Sequence, residues 1–400
     1  MSSLHQPRRT AGRTAAFAVS QIREMTRLAD RCRAVNLGQG LPELDPPAPL
    51  LDALSRLTSG NDHQYSYTWG HPALLQVLAD DVARRWGTPV DPESEVTVTC
   101  GVSEGLVAAM LTLVDPGDEV IVLEPVHENY VPGIVFAGAV PRFLTLEPPD
   151  FRIDPERLEA LITPRTRALI LNTPHNPTGR VFDAGELEAV RRACLDHDLV
   201  LVTDEIYADL VYEGQHTYPA ALPGLRERTV ALYGLGKSFS VTGWRLGYAV
   251  APPDLSAAIR KVHEYLVICA ATPLQVAAAA AWPAMAGYAA AAADAYRRRR
   301  DALVTALRET GLTCTPPEGA YYVMADASVL GAADDFAAAR MLVEQAGVAA
   351  VPGSSFYPGN PDRGRTLLRF AFCKREETIN EAARRLRAFA ASVRPRPAGR

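Results

Sequence analysis

From residue 95 to about 250 the chain alternates short, continuously apolar runs with helix-like segments. That alternation constrains the fold more than any other feature. EVTVTC (95–100), DEVIVLEP (118–125), TRALILNTP (166–174), LVLVTDEIY (199–207) and RTVALYGLG (228–236) are rich in Val, Ile, Leu and Thr and end at glycine, proline or polar residues. Such runs, separated by helical crossovers, predict an α/β fold whose mostly parallel sheet is covered on both faces. Ligands of such sheets bind beyond the carboxyl ends of the strands. The residues there are Gly101 to Ser103, Glu124 to Tyr130, Asn172 to Gly179, Asp204 to Tyr207 and Gly234 to Ser238. Five polar clusters are therefore expected to converge on one crevice.

The last third reads differently. A long helix after about residue 285 precedes a strand pair around GAYYVMAD (319–326), another helix, VAAVPGSSF and LLRFAF (367–372). This predicts a smaller α+β domain over 286–400. AVNLGQG (34–40) reads as strand plus turn and is expected to bring 14–46 into it, leaving 47–285 as the large domain and 1–13 as a flexible leader. The basic leader could be a frayed tail or a transit peptide; no apolar segment follows it as a secretory signal would require.

Bulk properties exclude several classes. A formal net charge of −5 gives no global attraction for nucleic acid or an anionic membrane. Arg297 to Arg300 read as a solvated helix face, and no apolar run approaches the length of a membrane span. Six cysteines without a CxxC pair suggest reduced, mostly buried thiols in the cytoplasm. The histidines show no metal-ligand spacing.

Three motifs compete for the crevice. Gly236-Lys237-Ser238 imitates the end of a nucleotide-binding P-loop, but Ala231 stands where the first glycine belongs and SFSVTGW opens a helix poorly. Gly101-Val102-Ser103-Glu104-Gly105 matches a nucleophile elbow between strand and helix. A serine hydrolase using Ser103 would then need a late histidine, and none follows His263. The third reading uses all five clusters at once. A bound pyridoxal phosphate requires a lysine to bond its aldehyde, which Lys237 supplies. It requires a carboxylate at its ring nitrogen (Asp204) and donors at its ring hydroxyl (Asn176 and Tyr207). Its phosphate requires a helix N-terminus, a hydroxyl and a cation, supplied by Val102, Ser103 and Arg245.

ILNTPHNPTG, VTDEIY, GLGKSFSVTGWRLGY and LLRFAF, in this order, resemble the class I/II aminotransferases of pyridoxal-phosphate fold type I. The similarity covers nearly the whole chain. NLGQGLPELDPP, HQYSYTWGHPAL, DPGDEVIVLEP and LVYEGQHTYPAALPG look closest to the kynurenine (glutamine, cysteine-conjugate) and methionine aminotransferase branch. The resemblance implies transfer of an amino group between an L-amino acid and a 2-oxo acid, with Lys237 moving the proton. It also implies a homodimer with shared sites, in which Tyr65 reaches the partner's cofactor phosphate. Arg369 would grip the substrate carboxylate, and Gly40 lies where the N-terminal loop closes over substrate. Lyase, racemase or oxidase chemistry on the same fold remains an alternative.

Two positions depart from the family pattern. His127 stands where an aromatic ring usually stacks on the cofactor, bringing a group that ordinarily titrates near neutrality. Gly234 replaces a serine that often touches the phosphate. Side-chain specificity is open: aromatic, methionine-like or glutamine-like substrates fit the resemblance, while Glu43, His127 and Glu128 leave room for a basic one.

Overall fold

The computed structural model describes residues 11–393 except 16, 18, 58 and 59. Most of the leader, residues 1–10, lies outside the described residues. Thirteen strands are present among the rest. β1 (Val35–Asn36) precedes β2 (Val96–Thr99), β3 (Glu119–Glu124), β4 (Val140–Thr145), β5 (Thr166–Asn172), β6 (Val200–Asp204), β7 (Thr229–Gly234) and β8 (Gly247–Val250). The C-terminal part adds β9 (Thr313–Cys314), β10 (Tyr322–Asp326), β11 (Val348–Ala349), β12 (Val351–Pro352) and β13 (Leu367–Ala371).

β2 to β8 form one seven-stranded sheet in the order β2-β8-β7-β6-β5-β3-β4. The pairs β3–β4, β3–β5, β5–β6 and β6–β7 are parallel, and β8 runs antiparallel to both neighbours, β7 and β2. β2 therefore points the same way as β7. Every residue of β2, β3, β7 and β8 is buried, so both faces of these strands are covered, with Thr97, Thr99 and Thr229 as buried polar positions and Glu119 and Glu124 at the ends of β3. The five anticipated strands are present with shorter ends. β4 and β8 escaped the sequence reading: VPRFLT is half-exposed at the sheet edge, and GYAV follows the motif-rich GWRL without a separating turn signal.

The helices between the strands have local signals. Asp183 and Glu186 form a reciprocal capping box on the helix Ala184–Asp196, worth about 1 kcal/mol. Gly101 caps the helix Val102–Leu113 at φ 77°, and a Cβ there would come within 2.5 Å of Arg245 Nη2. Only glycine lets that helix start so close to the guanidinium.

A second, four-stranded sheet has the order β12-β13-β10-β9, all antiparallel, and β1 pairs in parallel with β11. The anticipated strand pair around GAYYVMAD is thus a single strand, β10, flanked by β9 and β13. The Leu37 carbonyl accepts from the Ala371 amide at 2.6 Å, stitching the N-terminal segment to β13. Alanine-rich stretches lie in the helices Thr272–Ala281 and Tyr288–Glu309. Arg300 corrects the solvated-face reading: it is buried, donating to the Pro317 carbonyl at 2.9 Å and pairing with Glu213 at 3.0 Å and Asp301 at 2.8 Å. Of the cysteines, Cys194, Cys314 and Cys373 are buried, Cys100 and Cys269 are half-buried and Cys32 is exposed, so fewer are hidden than expected. Among the described residues no single helix is long and apolar enough to cross a membrane.

Candidate active site

All five strand-end clusters contribute to one cavity of about 240 Å³. Gly101, Val102 and Ser103 come from the turn after β2, and His127, Asn129 and Tyr130 from the turn after β3. Asn176 follows β5, Asp204, Ile206 and Tyr207 end and follow β6, and Lys237 follows β7. Arg245 and Tyr322 complete the wall.

Lys237 sits in a four-residue helix, Leu235–Ser238, rather than in an open loop. Its neighbour Ser238 donates to Asp209 at 2.6 Å, and Asp209 pairs with Arg85 at 3.1 Å. Behind Asp204, the buried Glu205 accepts from Thr203 at 2.8 Å and Tyr233 at 3.0 Å and faces His216 at 2.7 Å. These hydrogen bonds and the Arg85–Asp209 ion pair fix the floor on which Lys237 and Asp204 stand. Desolvation lowers Lys237 to a pKa of about 8, so its neutral amine is accessible near physiological pH. Lys237 Nζ lies 3.4 Å from the Gly40 carbonyl, which also accepts from Tyr321 at 3.1 Å.

Asp204 is buried at the end of β6. Desolvation raises its pKa to about 6, while the Tyr130 hydroxyl, donating at 2.6 Å, and the Ile206 amide hold it down. Asn172 donates to the Asp204 carbonyl at 2.8 Å and accepts from the Asn176 amide at 2.7 Å, tying β5 and β6 together under the site. Asn176 Nδ2 approaches the Tyr207 hydroxyl at 3.5 Å, and that hydroxyl meets Tyr322 at 3.3 Å.

Arg369, on β13, is 1% exposed. It donates to Asn176 Oδ1 at 3.0 Å and to the Gly38 carbonyl at 2.9 Å. Its guanidinium carbon lies 4.2 Å from the centre of the Tyr322 ring and 4.7 Å from that of Phe356. Its Nε has no partner, and no carboxylate lies within ion-pairing distance among the described residues. A buried cation held only by neutral groups is suited to an anion arriving from outside.

His127 corrects one expectation. Desolvation, reinforced by Arg369 and Lys237, lowers its pKa to about 3, so the ring stays neutral and is no proton shuttle near pH 7. Its Nδ1 is shut off from solvent without a partner. Tyr65 does not enter its own chain's cavity; it is 77% exposed. Gly40 packs so tightly on the Tyr322 hydroxyl that a side chain there would collide with it. The hydrolase arrangement is not assembled: Ser103 Oγ accepts from Asn129 at 3.1 Å, and His263 is engaged by Glu104 and the Thr68 carbonyl, each at 3.0 Å. Tyr130, Asn129 and Tyr322 had no assigned role in the sequence reading. The first two lay inside a flagged strand-end cluster; Tyr322 comes from the second sheet and carried no signal.

A sheet with this order, a half-buried lysine of lowered pKa lining one cavity with a buried aspartate, and a buried arginine without a carboxylate partner are features of a class of group-transfer enzyme. The chain belongs to that class: residues 33–386 match the family model for aminotransferase class I and II. It is 40% identical to the methionine aminotransferase of Escherichia coli over 91% of this chain and 94% of that protein. It is 36% identical to the mouse kynurenine–oxoglutarate transaminase 1 over 91% and 93%. The solved N-succinyldiaminopimelate aminotransferase of Mycobacterium tuberculosis superposes with a TM-score of 0.91 at 39% identity, covering 95% of this chain and all of that one. The chain is thus an aminotransferase of fold type I, in a family that uses pyridoxal phosphate.

Proposed function

We propose that this cavity holds pyridoxal 5'-phosphate and that the enzyme moves the amino group of an L-amino acid with a neutral, medium-sized side chain. The observation that carries the reading is that Lys237 and Asp204 line one cavity together with Gly101, Val102, Ser103 and Arg245. The residues fit the group. Lys237 holds its aldehyde end, Asp204 its ring nitrogen, and Asn176 and Tyr207 its ring hydroxyl. His127 packs on its face, and Val102, Ser103 and Arg245 take the phosphate. When bound, the cofactor supplies the electron sink that stabilises negative charge at the substrate Cα.

The protein supplies the rest. Asp204 stays anionic above pH 6, with Tyr130 fixing its orientation. Arg369 receives the substrate carboxylate as a two-point fork, with Asn176 at its side, and so sets which bond to Cα faces Lys237. The neutral Lys237 amine takes the Cα proton and returns it on the far side of the transfer. Gly40 and the N-terminal segment close that end of the site.

Side-chain specificity follows from what is already engaged. Glu43 accepts from the Arg375 amide and Thr378, each at 2.8 Å, and pairs with Lys374 at 3.4 Å; Glu128 accepts from Ser20 at 2.8 Å. Glu43, paired with Lys374, is thereby not free for a basic substrate. Apart from Arg245 at the phosphate end and Arg369 behind Asn176, no arginine among the described residues is placed at the cavity for the second carboxylate of a dicarboxylate.

A homodimer completes the site. Ser66 and Gln275 hold the segment around Tyr65 against the helix Thr272–Ala281, so Tyr65 is presented outward by an ordered stretch. Tyr67, two residues on, is 61% exposed as well, an aromatic pair that a second copy would bury. Residues 14–46 and 286–400 form the small domain around 47–285, and the free cysteines suit a reducing cytoplasm.

The test is the visible spectrum of the purified protein before and after amino acids, beside Lys237→Ala. A yellow band that bleaches with amino acids and is altered in the variant is expected. A protein that takes up no added pyridoxal phosphate would overturn the reading.

A further inference from the structure

The phosphate end of the cavity is lopsided. On one side the wall is apolar: Gly234 has no side chain, and a Cβ on it would meet Ile206 Cδ1 at 2.5 Å and Val102 Cγ2 at 3.4 Å, both residues of the cavity lining. On the other side Asn129, from the turn after β3, donates through Nδ2 to Ser103 Oγ at 3.1 Å, and both residues line the cavity. Arg245 stands beside the helix start at Gly101. Glu104, in the first turn of that helix, would repel an anion, but its two oxygens are occupied by the Cys100 amide and the His263 ring, each at 3.0 Å.

A serine hydroxyl has one proton to donate. While an amide N–H fills one of its lone pairs, its own O–H is left free to point elsewhere. We propose that Asn129 is a positioning residue for the cofactor phosphate: it aims the Ser103 hydroxyl into the cavity, where Gly234 offers no side-chain donor. The inference rests on the reading that the cavity takes pyridoxal phosphate. Asn129 acts through Ser103 and takes no part in moving the substrate proton.

The proposal makes Asn129 matter for the phosphate and not for the ring. The experiment measures the dissociation constants of pyridoxal phosphate and of pyridoxal, which lacks the phosphate, for the ligand-free protein and its Asn129→Ala and Asn129→Asp variants, with melting curves to check folding. Asn129→Ala should weaken pyridoxal phosphate about tenfold and leave pyridoxal within about twofold, because a hydrogen bond to a charged group is at stake. Asn129→Asp, of nearly the same shape, should weaken pyridoxal phosphate further, since it draws the Ser103 proton to itself and adds a negative charge. In the double variant with Ser103→Ala, the loss from Asn129→Ala should largely vanish, because its target is gone. Equal loss for both ligands, no loss for either, or full additivity with Ser103→Ala would overturn the proposal. A wild-type protein that binds neither ligand would instead overturn the cofactor reading on which it stands.

Discussion

Two buried arginines behave in opposite ways. Arg300, in the helix Tyr288–Glu309, is 5% exposed and meets two carboxylates and a carbonyl. Arg369, in β13, is more deeply buried and meets only an amide oxygen, a carbonyl and two aromatic faces. Burying a charge is costly unless it is paired. Arg300 is compensated within the chain and belongs to the scaffold. Arg369 is undercompensated, and the proposed role for it is to receive the substrate carboxylate as the anion it lacks. The same contrast separates the Arg85–Asp209 ion pair beneath the site from Lys237 and Asp204 above it, whose pKa values are displaced toward neutrality from opposite sides.

The largest effect expected is from Lys237→Ala, which removes both the covalent anchor and the proton carrier. Turnover should fall by about 10⁴-fold or more while melting behaviour is kept. Arg369→Met comes next. It should lower kcat/KM for the amino acid by about 10³-fold and cost the ligand-free protein little stability, because an unpaired buried cation is removed with the side chain. Asp204→Asn should lower kcat by about 10²-fold, read in steady-state kinetics, by removing the anion at the ring nitrogen.

The pH dependence sharpens the contrast. Lys237 has its pKa lowered to about 8 from an ordinary value of 10.5, so its neutral form grows as pH rises through about 8 and is lost below. In the ligand-free protein an amine-directed reagent should modify Lys237 with a midpoint near 8. The smallest effect is expected from Arg300→Met: stability should fall by about 1–3 kcal/mol in denaturant titration, with kcat/KM unchanged within about twofold. Should Arg300→Met abolish turnover, or Arg369→Met only soften the fold, the division between the two arginines would be wrong.

The sheet was legible because strands buried on both faces must be apolar along their whole length, and the polar residues that end them then stand out. Lys237, Asp204, Asn176 and Ser103 were found that way. Arg369 was found through resemblance, and nothing in LLRFAF alone says that its arginine lacks a carboxylate. Tyr322 reaches the cavity from the second sheet, a packing relation that no local pattern encodes. The neutrality of His127 depends on enclosure beside two cations, and the burial of Arg300 on Pro317 and Glu213 lying across from its helix. Charge state and burial of this kind are properties of the assembled fold, whereas strand ends are properties of the chain.

The most direct test is a single half-reaction. Protein loaded with pyridoxal phosphate is mixed with a panel of L-amino acids in the absence of any oxo-acid acceptor, and the 2-oxo acid released is counted against the number of sites. One equivalent per site with a neutral amino acid, and none from Lys237→Ala, is the expected result. Continuous release beyond one equivalent, or none from any amino acid by a protein that has bound the cofactor, would contradict amino-group transfer at this site.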